Sequence, residues 1–205
     1  MPSHAATFSP AGWTETAPGA WTKDLLRSPG DSFTLVRLAA GAVLPEPGDR
    51  LLVLEGAIAH HRAGAYVAPD GALSSTDGCL ALSISGERLG DPADDVFSPA
   101  GWRNSSPGQW YRLLLDAAFD ETFDERLVGL SYFEPGSFSP RHPHPTAHRF
   151  LFLDGEADDE VVFPDGTRTT ARRARGDFVD YPVQVEHQTF SRSGCLILFL
   201  HEPVR

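Results

Sequence analysis

Short apolar runs separated by turn-forming residues recur along the 205-residue chain, and none has the long 3.6-residue period of an amphipathic helix. The runs are FTLVRLAAGAV (33–43), LLVLEGAI (51–58), CLALSI (79–84), RLVGLSYF (126–133), RFLFLDG (149–155), EVVFPDG (160–166), GDFVDYP (176–182) and CLILFLH (195–201). The interruptions EPG, PDG, DG and SG are typical of tight turns. This pattern predicts an all-β chain of short strands, with a hairpin at PDG (164–166).

The pattern occurs twice, because the chain repeats itself. Residues 8–26, FSPAGWTETAPGAWTKDLL, match residues 97–115, FSPAGWRNSSPGQWYRLLL. Two weaker matches follow in the same order: LLVLEG (51–56) with FLFLDG (150–155), and DGCLAL (77–82) with SGCLIL (193–198). Two copies of one structural unit are the simplest explanation of this self-similarity.

We therefore predict a tandem duplication into units 1–90 and 91–205. The polar, turn-rich segment GERLGDPADD (86–95) is the natural linker. Each unit is too short for a parallel α/β domain, so we expect two small antiparallel barrels or sandwiches.

Four histidines distinguish the second unit from the first: His142, His144, His148 and His187. The first three lie in a stretch whose counterpart, AVLPEPGDR (42–50), contains no histidine. Counting back from the two cysteines places Gly71 opposite the fourth. This difference is what duplication followed by loss of a site in one copy would produce.

The four histidines form a candidate metal site. Alternation along a strand puts His142 and His144 on one face, and the intervening prolines favour extended backbone. Neutral imidazole is the commonest ligand of first-row divalent metals, whereas calcium and magnesium prefer oxygen. We therefore predict one Fe(II), Zn(II), Ni(II), Mn(II) or Cu(II) ion per chain. The remaining histidines are interpreted as ordinary polar residues with hydrogen-bond partners: His4, His60, His61 and His201.

Composition and charge argue against several classes of function and location. The net charge of -11 argues against a nucleic-acid partner. The basic cluster Arg172, Arg173 and Arg175 is interpreted as a solvated strand or hairpin. No apolar run is long enough to span a membrane, and the N-terminus lacks the features of a secretory signal, so we expect a cytoplasmic protein. Cys79 and Cys195 occupy equivalent places in the two units, which argues against a disulfide between them.

The histidine spacing resembles the two motifs of the cupin superfamily. The first motif reads Gly136, five residues, His142-x-His144, three residues, His148, six residues, Gly155. The second reads Gly176, five residues, Pro182-x-Gln184, two residues, His187, three residues, Ser191. The chain departs from the family at His148, Gln184 and Ser191, where the family usually has Glu, Gly and Asn.

The wider pattern of PGxW segments, the LEG turn and the closing SGC resembles ChrR-type cupins. Such domains form the C-terminal half of zinc-dependent anti-sigma factors, and their relatives include acetylacetone-cleaving dioxygenases with iron on three histidines. The resemblance implies two tandem double-stranded β-helix (jelly-roll) barrels, the first degenerate and without a metal site. It also implies Fe(II) or Zn(II) as the favoured ion, and it leaves His148 as either a fourth ligand or a neighbour of a three-histidine site.

Three functions remain open. The favoured one is a non-haem metal dioxygenase acting on a small dicarbonyl or enolisable compound. Its pocket would lie near Phe150, Phe152, Phe178 and Gln184, and strand alternation puts the first two on the same face as His148. Its catalytic residues are unassigned, because alternation points Glu186, the neighbour of His187, away from the metal. The alternatives are a metal- or oxidant-sensing regulator, which would lack the His-x3-Cys-x2-Cys sigma-binding domain, and a metal-binding bicupin without turnover. A monomer and a homodimer fit equally well.

Overall fold

Every regular element of the described chain is a β-strand. The structure is a computed structural model that describes residues 12–28, 31–86, 89–115, 127–144 and 147–202. None of these residues lies in a helix, so the predicted all-β class is confirmed. It follows that the described part holds no helix with the length and apolarity needed to cross a membrane. The chain divides into two compact units, Met1–Gly101 and Trp102–Arg205.

The described residues of the first unit form nine strands. These are β1 (Thr14–Ala17), β2 (Ala20–Ser28), β3 (Asp31–Leu38), β4 (Val43–Leu44), β5 (Arg50–Ile58), β6 (His61–Arg62), β7 (Tyr66–Val67), β8 (Leu73–Ser74) and β9 (Cys79–Ser85). The main sheet has the order β1-β2-β3-β9-β5-β6, with β7 also paired to β5, while β4 and β8 pair separately. Val36 and Val53 flank Ala81 in this sheet, and all three pack into one buried apolar cluster. The cluster fills the inside of this unit.

In the second unit, too, nine strands are formed by the residues that the structure describes. These are β10 (Arg103–Ser106), β11 (Gln109–Leu113), β12 (Leu127–Phe133), β13 (Ser137–His144), β14 (Ala147–Val162), β15 (Arg168–Ala174), β16 (Phe178–Tyr181), β17 (Val185–Ser191) and β18 (Cys195–Glu202). Their order is β10-β11-β12-β18-β14-β17-β13, and β15 and β16 also pair with β14. Its apolar core includes Phe133, Phe152, Val161 and Ile197. When the strands are counted within each unit, both main sheets begin with the first, second, third, ninth and fifth strands, in that order.

The long strand β14 makes the second sheet curl. Its first half pairs with β16 and β18, and its second half pairs with β15 and β17. The register shifts between Phe152 and Asp154, and Gly155 follows with φ 70°. A Cβ atom at Gly155 would lie 2.1 Å from the carbonyl oxygen of Gly194, so a side chain cannot fit there. Because of this bend, one strand supplies residues to two sides of the interior.

The first unit has a bend of the same kind on β5. There the register shifts between Val53 and Glu55, and Gly56 has φ 69°. A Cβ atom on Gly56 would lie 2.2 Å from the carbonyl oxygen of Gly78. The glycines of LLVLEG and FLFLDG therefore meet the same steric requirement in the two units.

The predicted hairpin after β14 is present. The amide of Phe163 donates to the carbonyl of Thr167 at 2.8 Å, and the amide of Gly166 donates to the carbonyl of Phe163 at 2.9 Å. Cys79 and Cys195 are both buried free thiols, as the repeat predicted.

The segment after the predicted boundary at residues 90–91 pairs with the first unit. Tyr66 and Ala93 exchange backbone hydrogen bonds of 2.8 and 2.7 Å, and the amide of Val96 donates to the carbonyl of Gly64 at 2.7 Å. Residues of the predicted linker therefore complete the edge of β7 before the chain enters the second unit.

Candidate metal centre

His142 and His187 face each other across the pairing of β13 and β17. They are register partners, so their side chains share one face of the sheet, and their ring centroids are 4.8 Å apart. His144 lies on the same face, with its ring 4.6 Å from that of His142 and 4.7 Å from that of His187. One ring nitrogen from each lies within 4.8 Å of the others. We call His142, His144 and His187 the outer trio.

His148 and His201 form a second cross-strand pair, between β14 and β18. They too are register partners, and their ring centroids are 3.6 Å apart. The ring of His144 lies 3.7 Å from that of His148 and 5.5 Å from that of His201. The candidate ligand nitrogens of these three residues again lie within 4.8 Å of one another. We call His144, His148 and His201 the inner trio, because all three side chains are buried.

The four histidines expected to form the site are thus divided between two trios. His148 belongs to the inner one: its ring is 5.7 Å from that of His187, while its Nδ1 lies 2.5 and 2.9 Å from the two nitrogens of His144. The other three stand together as a three-histidine set. His148 therefore lies beside that set, at the place where the cupin motif has Glu.

For His142 and His187 of the outer trio, hydrogen bonds determine which ring nitrogen is available to a metal ion. Nδ1 of His142 lies 2.7 Å from the carbonyl oxygen of Pro140, and Nδ1 of His187 lies 3.1 Å from Oδ1 of Asp159. Carbonyl and carboxylate oxygens only accept, so both Nδ1 atoms carry the proton. The lone pairs of the two Nε2 atoms are then available to a metal ion.

Asp159 anchors the His187 ring from behind. The carboxylate is buried, and it accepts hydrogen bonds from the Tyr181 hydroxyl and from Oγ1 of Thr189, the latter at 3.1 Å. Burial by itself raises the pKa of Asp159, but its bond to His187 and the two hydroxyl donors outweigh burial and lower the pKa overall. The group is therefore a carboxylate at neutral pH, and it stabilises the orientation of His187.

Burial keeps the clustered imidazoles neutral. It lowers the pKa of four of them, and the charge of neighbouring histidines lowers it further: His142, His144, His148 and His201. For His201 the pKa falls to about 3. Neutral imidazole is the form that binds metal, so the site is prepared for an ion at neutral pH.

The arrangement fits a divalent transition metal. Buried polar atoms are normally paired, yet within the described ranges Nε2 of His148 is buried without a hydrogen-bond partner. The donors of both trios are imidazole nitrogens, which suit iron, zinc, copper or nickel rather than calcium or magnesium. With neutral ligands the ion would keep its full 2+ charge and would favour an anionic oxygen ligand.

A cavity of about 110 Å³ opens beside the histidines. Its walls are largely aromatic and include Phe133, Phe150, Phe152 and Phe199, with the polar side chains of Gln109, Ser131 and Ser139 among them. His148, Phe150 and Phe152 occupy the same face of β14, as strand alternation predicted. The cavity can enclose a ligand of only a few heavy atoms.

Two residues expected near the pocket do not line this cavity: Phe178 and Gln184. On β16 the residues that point into the core are Val179 and Tyr181, so Phe178 lies on the opposite, partly exposed face. Gln184 is an exposed turn residue with φ 65°, and only its backbone approaches the site, through an amide that donates to the carbonyl of His144 at 2.8 Å. The Gly of the family motif suits that φ, which explains the motif without a binding role for this side chain.

Two residues of the site were missed by sequence reasoning. His201 was interpreted as an ordinary polar residue, but it is buried and belongs to the inner trio. The sequence repeat could have identified His201. When the two units are aligned on their cysteines, His201 corresponds to Ser85, so it is another histidine of the second unit that has no histidine counterpart in the first. Asp159 carried no such signal, because its contact with His187 depends on the pairing of β14 with β17. Glu186, by contrast, is exposed and points away, as alternation predicted.

Comparison with known proteins gives one family. Residues 96–205, more than half of the chain, match the ChrR cupin-like domain. No curated protein matches the chain.

Several solved structures resemble the chain at low sequence identity. A cupin 2 conserved barrel domain protein from Leptotrichia buccalis is 14% identical, covering 92% of this chain and 91% of its own, with a TM-score of 0.59. Oxalate decarboxylase from Lactobacillus farciminis, in a formate complex, is 13% identical over 96% of this chain and 85% of its own, with a TM-score of 0.66. A Bacillus subtilis oxalate decarboxylase variant is 14% identical over 97% and 77%, with a TM-score of 0.64. At these identities the likeness establishes the cupin fold alone.

Proposed function

We propose a metal-dependent enzymatic function for this chain, which belongs to the ChrR cupin-like domain family. In this proposal the second unit binds one divalent transition-metal ion and uses it to cleave a small enolisable dicarbonyl compound with O2. Fe(II) is the favoured ion for this reaction, and Zn(II) would indicate a different role. The observation that carries the proposal is the convergence of His142, His144 and His187 beside an apolar cavity.

The outer trio is the proposed ligand set. Its two oriented Nε2 atoms and a nitrogen of His144 would occupy one side of the ion, leaving the remaining positions toward the cavity. When bound, the ion would act as a Lewis acid for the enolate and as the site of O2 binding. No carboxylate stands in either trio, so nothing in the ligand set competes with an anionic substrate for the positive charge.

The cavity supports a small, largely apolar substrate. Phe150 and Phe152 exclude water from one side of the space, which strengthens electrostatic attraction between an enolate and the centre. The side chains of Gln109 and Ser131 can hydrogen-bond a second carbonyl oxygen. At about 110 Å³ the space suits a short diketone better than a sugar or a nucleotide.

The test begins with protein purified without an affinity tag. It should hold metal, and after anaerobic loading with Fe(II) it should consume O2 when acetylacetone is added. His144→Ala should lose both the uptake and most of the iron, while His60→Ala, which removes an exposed histidine of the first unit, should keep both. Stoichiometric zinc with no oxygen uptake would contradict the enzymatic proposal and favour a sensing or structural role. Oxalate serves as a second probe, because oxalate decarboxylases share the fold.

We also propose that the chain is a duplicated cupin whose first unit has lost its metal site. The sequence repeat, the common order of the first five strands and the matching Gly56 and Gly155 contacts support this proposal. Among the described residues, both histidine trios lie in the second unit. One metal ion per chain is therefore expected, in a monomer or a homodimer, and two would contradict the loss of the first site.

A further inference from the structure

The inner trio is a buried cluster from which the proposed reaction uses only His144. Its members come from three strands, β13, β14 and β18, and each side chain is more than nine-tenths buried: His144, His148 and His201 are 1%, 3% and 4% exposed. The outer trio differs, because His142 is only partly buried. The two clusters share His144, so the cavity contains two overlapping sets of nitrogen ligands.

His148 points to a ligand for the inner set. Its Nε2 is buried and, within the described ranges, has no hydrogen-bond partner. Leaving a buried polar atom unpaired is costly, and a metal ion is a partner that a lone pair can satisfy. His201 lies directly across the strand pair at 3.6 Å between ring centroids, so the two imidazoles are held on the same face by the sheet itself.

We propose that the inner trio is a second metal-binding position, and that a single divalent ion occupies either this position or the outer one. This inference rests on the proposed metal centre, and it gives the same ion an alternative binding position. Simultaneous occupancy is disfavoured because both positions need His144, and because two dications this close, with only neutral ligands, repel each other strongly.

The two positions differ in what the ion can do. In the inner position every ligand side chain is buried, so an ion there would be less exposed to solvent than in the outer position. In the outer position the half-buried His142 would leave the ion more accessible. The cupin motif has Glu where this chain has His148. The chain therefore has the neutral imidazoles of His148 and His201 as metal ligands in place of that carboxylate.

Metal binding by variants tests this inference without any assay of activity. Untagged, chelator-stripped protein is titrated with Co(II), and bound metal is measured by elemental analysis and by visible absorption. The wild type should bind one ion. His142→Ala should still bind close to one ion, with a changed absorption spectrum, because the inner trio remains intact. The double variant His142→Ala/His201→Ala and the single variant His144→Ala should each bind less than roughly a tenth of an ion per chain.

The outcomes separate this inference from the proposed function. If His142→Ala binds no metal, the inner position is wrong and the outer site still stands. The same conclusion follows if the double variant His142→Ala/His201→Ala binds metal as well as His142→Ala does. If the wild type binds no metal, both proposals are wrong. His187→Gln is the second outer variant, used if circular dichroism finds His142→Ala misfolded. His60→Ala is the matched control, since it removes one histidine of the first unit and should behave as the wild type.

Discussion

Asp159 accepts a hydrogen bond from Nδ1 of His187 at 3.1 Å, and both side chains are almost completely buried. The same carboxylate accepts from the hydroxyls of Tyr181 and Thr189, so it is held by three donors from two strands. Such a partner fixes the tautomer and the ring plane of a metal-ligating histidine and increases its basicity. Asp159 thereby brings a negative charge next to a ligand set that contains only neutral imidazoles.

Asp159→Asn should therefore weaken metal binding. The asparagine keeps the size of the side chain but removes its charge and one acceptor, so we expect a roughly 10- to 100-fold loss of Zn(II) affinity. Competition with a chromophoric chelator measures this loss. Asp158→Asn is the matched control, because its side chain is 40% exposed and faces Arg192 at the surface. Equal affinities of the wild type and Asp159→Asn would contradict the role given to Asp159.

Acid should destabilise the metal-free protein through its buried histidines. The folded-state pKa is lowered from 6.5 mainly by burial at His142, His144, His148 and His201. Below pH 6.5 the unfolded chain binds more protons than the folded one, so stability present above that pH is lost as the pH falls. At pH 5.5 each histidine that stays neutral in the folded state should cost roughly 1 kcal/mol.

Urea unfolding of the metal-free protein between pH 8 and pH 5 measures this dependence. His201→Asn should make the profile shallower, because it removes a histidine whose pKa is lowered to about 3. His60→Ala removes an exposed histidine and should leave the slope unchanged. A free energy of unfolding that stays constant from pH 8 to pH 5.5 would contradict the prediction.

The sequence predicted the all-β class and the shared face of His142 and His144, because both depend on local patterns. Short apolar runs with turn residues between them indicate strands wherever they occur, and His-x-His on a strand always shares one face. The alternation on β14 likewise placed His148, Phe150 and Phe152 correctly toward one cavity. These features need no knowledge of which strands become neighbours.

The remaining features depend on strand pairing that a single sequence does not specify. His201 reaches His148 only because β18 pairs with β14 in one register, and Asp159 reaches His187 only because β17 pairs with the far half of β14. A shift of one residue in either pairing would turn these side chains to the opposite face. Phe178 was misplaced for the same reason, since its strand turns Val179 and Tyr181 inward instead.

Gly155→Ala should strongly destabilise the protein. A methyl group there would lie 2.1 Å from the carbonyl oxygen of Gly194, on a residue whose φ is 70°. Gly166→Ala is the matched control: its φ is 83°, but an added Cβ meets nothing within 4 Å. Both variants carry the left-handed backbone penalty of roughly 1–2 kcal/mol, and Gly155→Ala should lose at least about 2 kcal/mol more because of the clash. Urea unfolding measures the difference, and equal losses would mean that the strands separate at no cost.

Gln184→Gly should stabilise the second unit without affecting the metal centre. Gln184 has φ 65°, a conformation that disfavours a side chain, and its own side chain is exposed. Removing the side chain should relieve roughly 1 kcal/mol of backbone strain, partly offset by the greater freedom of glycine in the unfolded chain. The amide bond to the carbonyl of His144 survives the change, so Zn(II) affinity should stay the same. Val183→Gly is the control: this neighbour is also exposed but has no positive φ, so its substitution should destabilise. A lower melting temperature for Gln184→Gly than for the wild type would contradict the strain assigned to this turn.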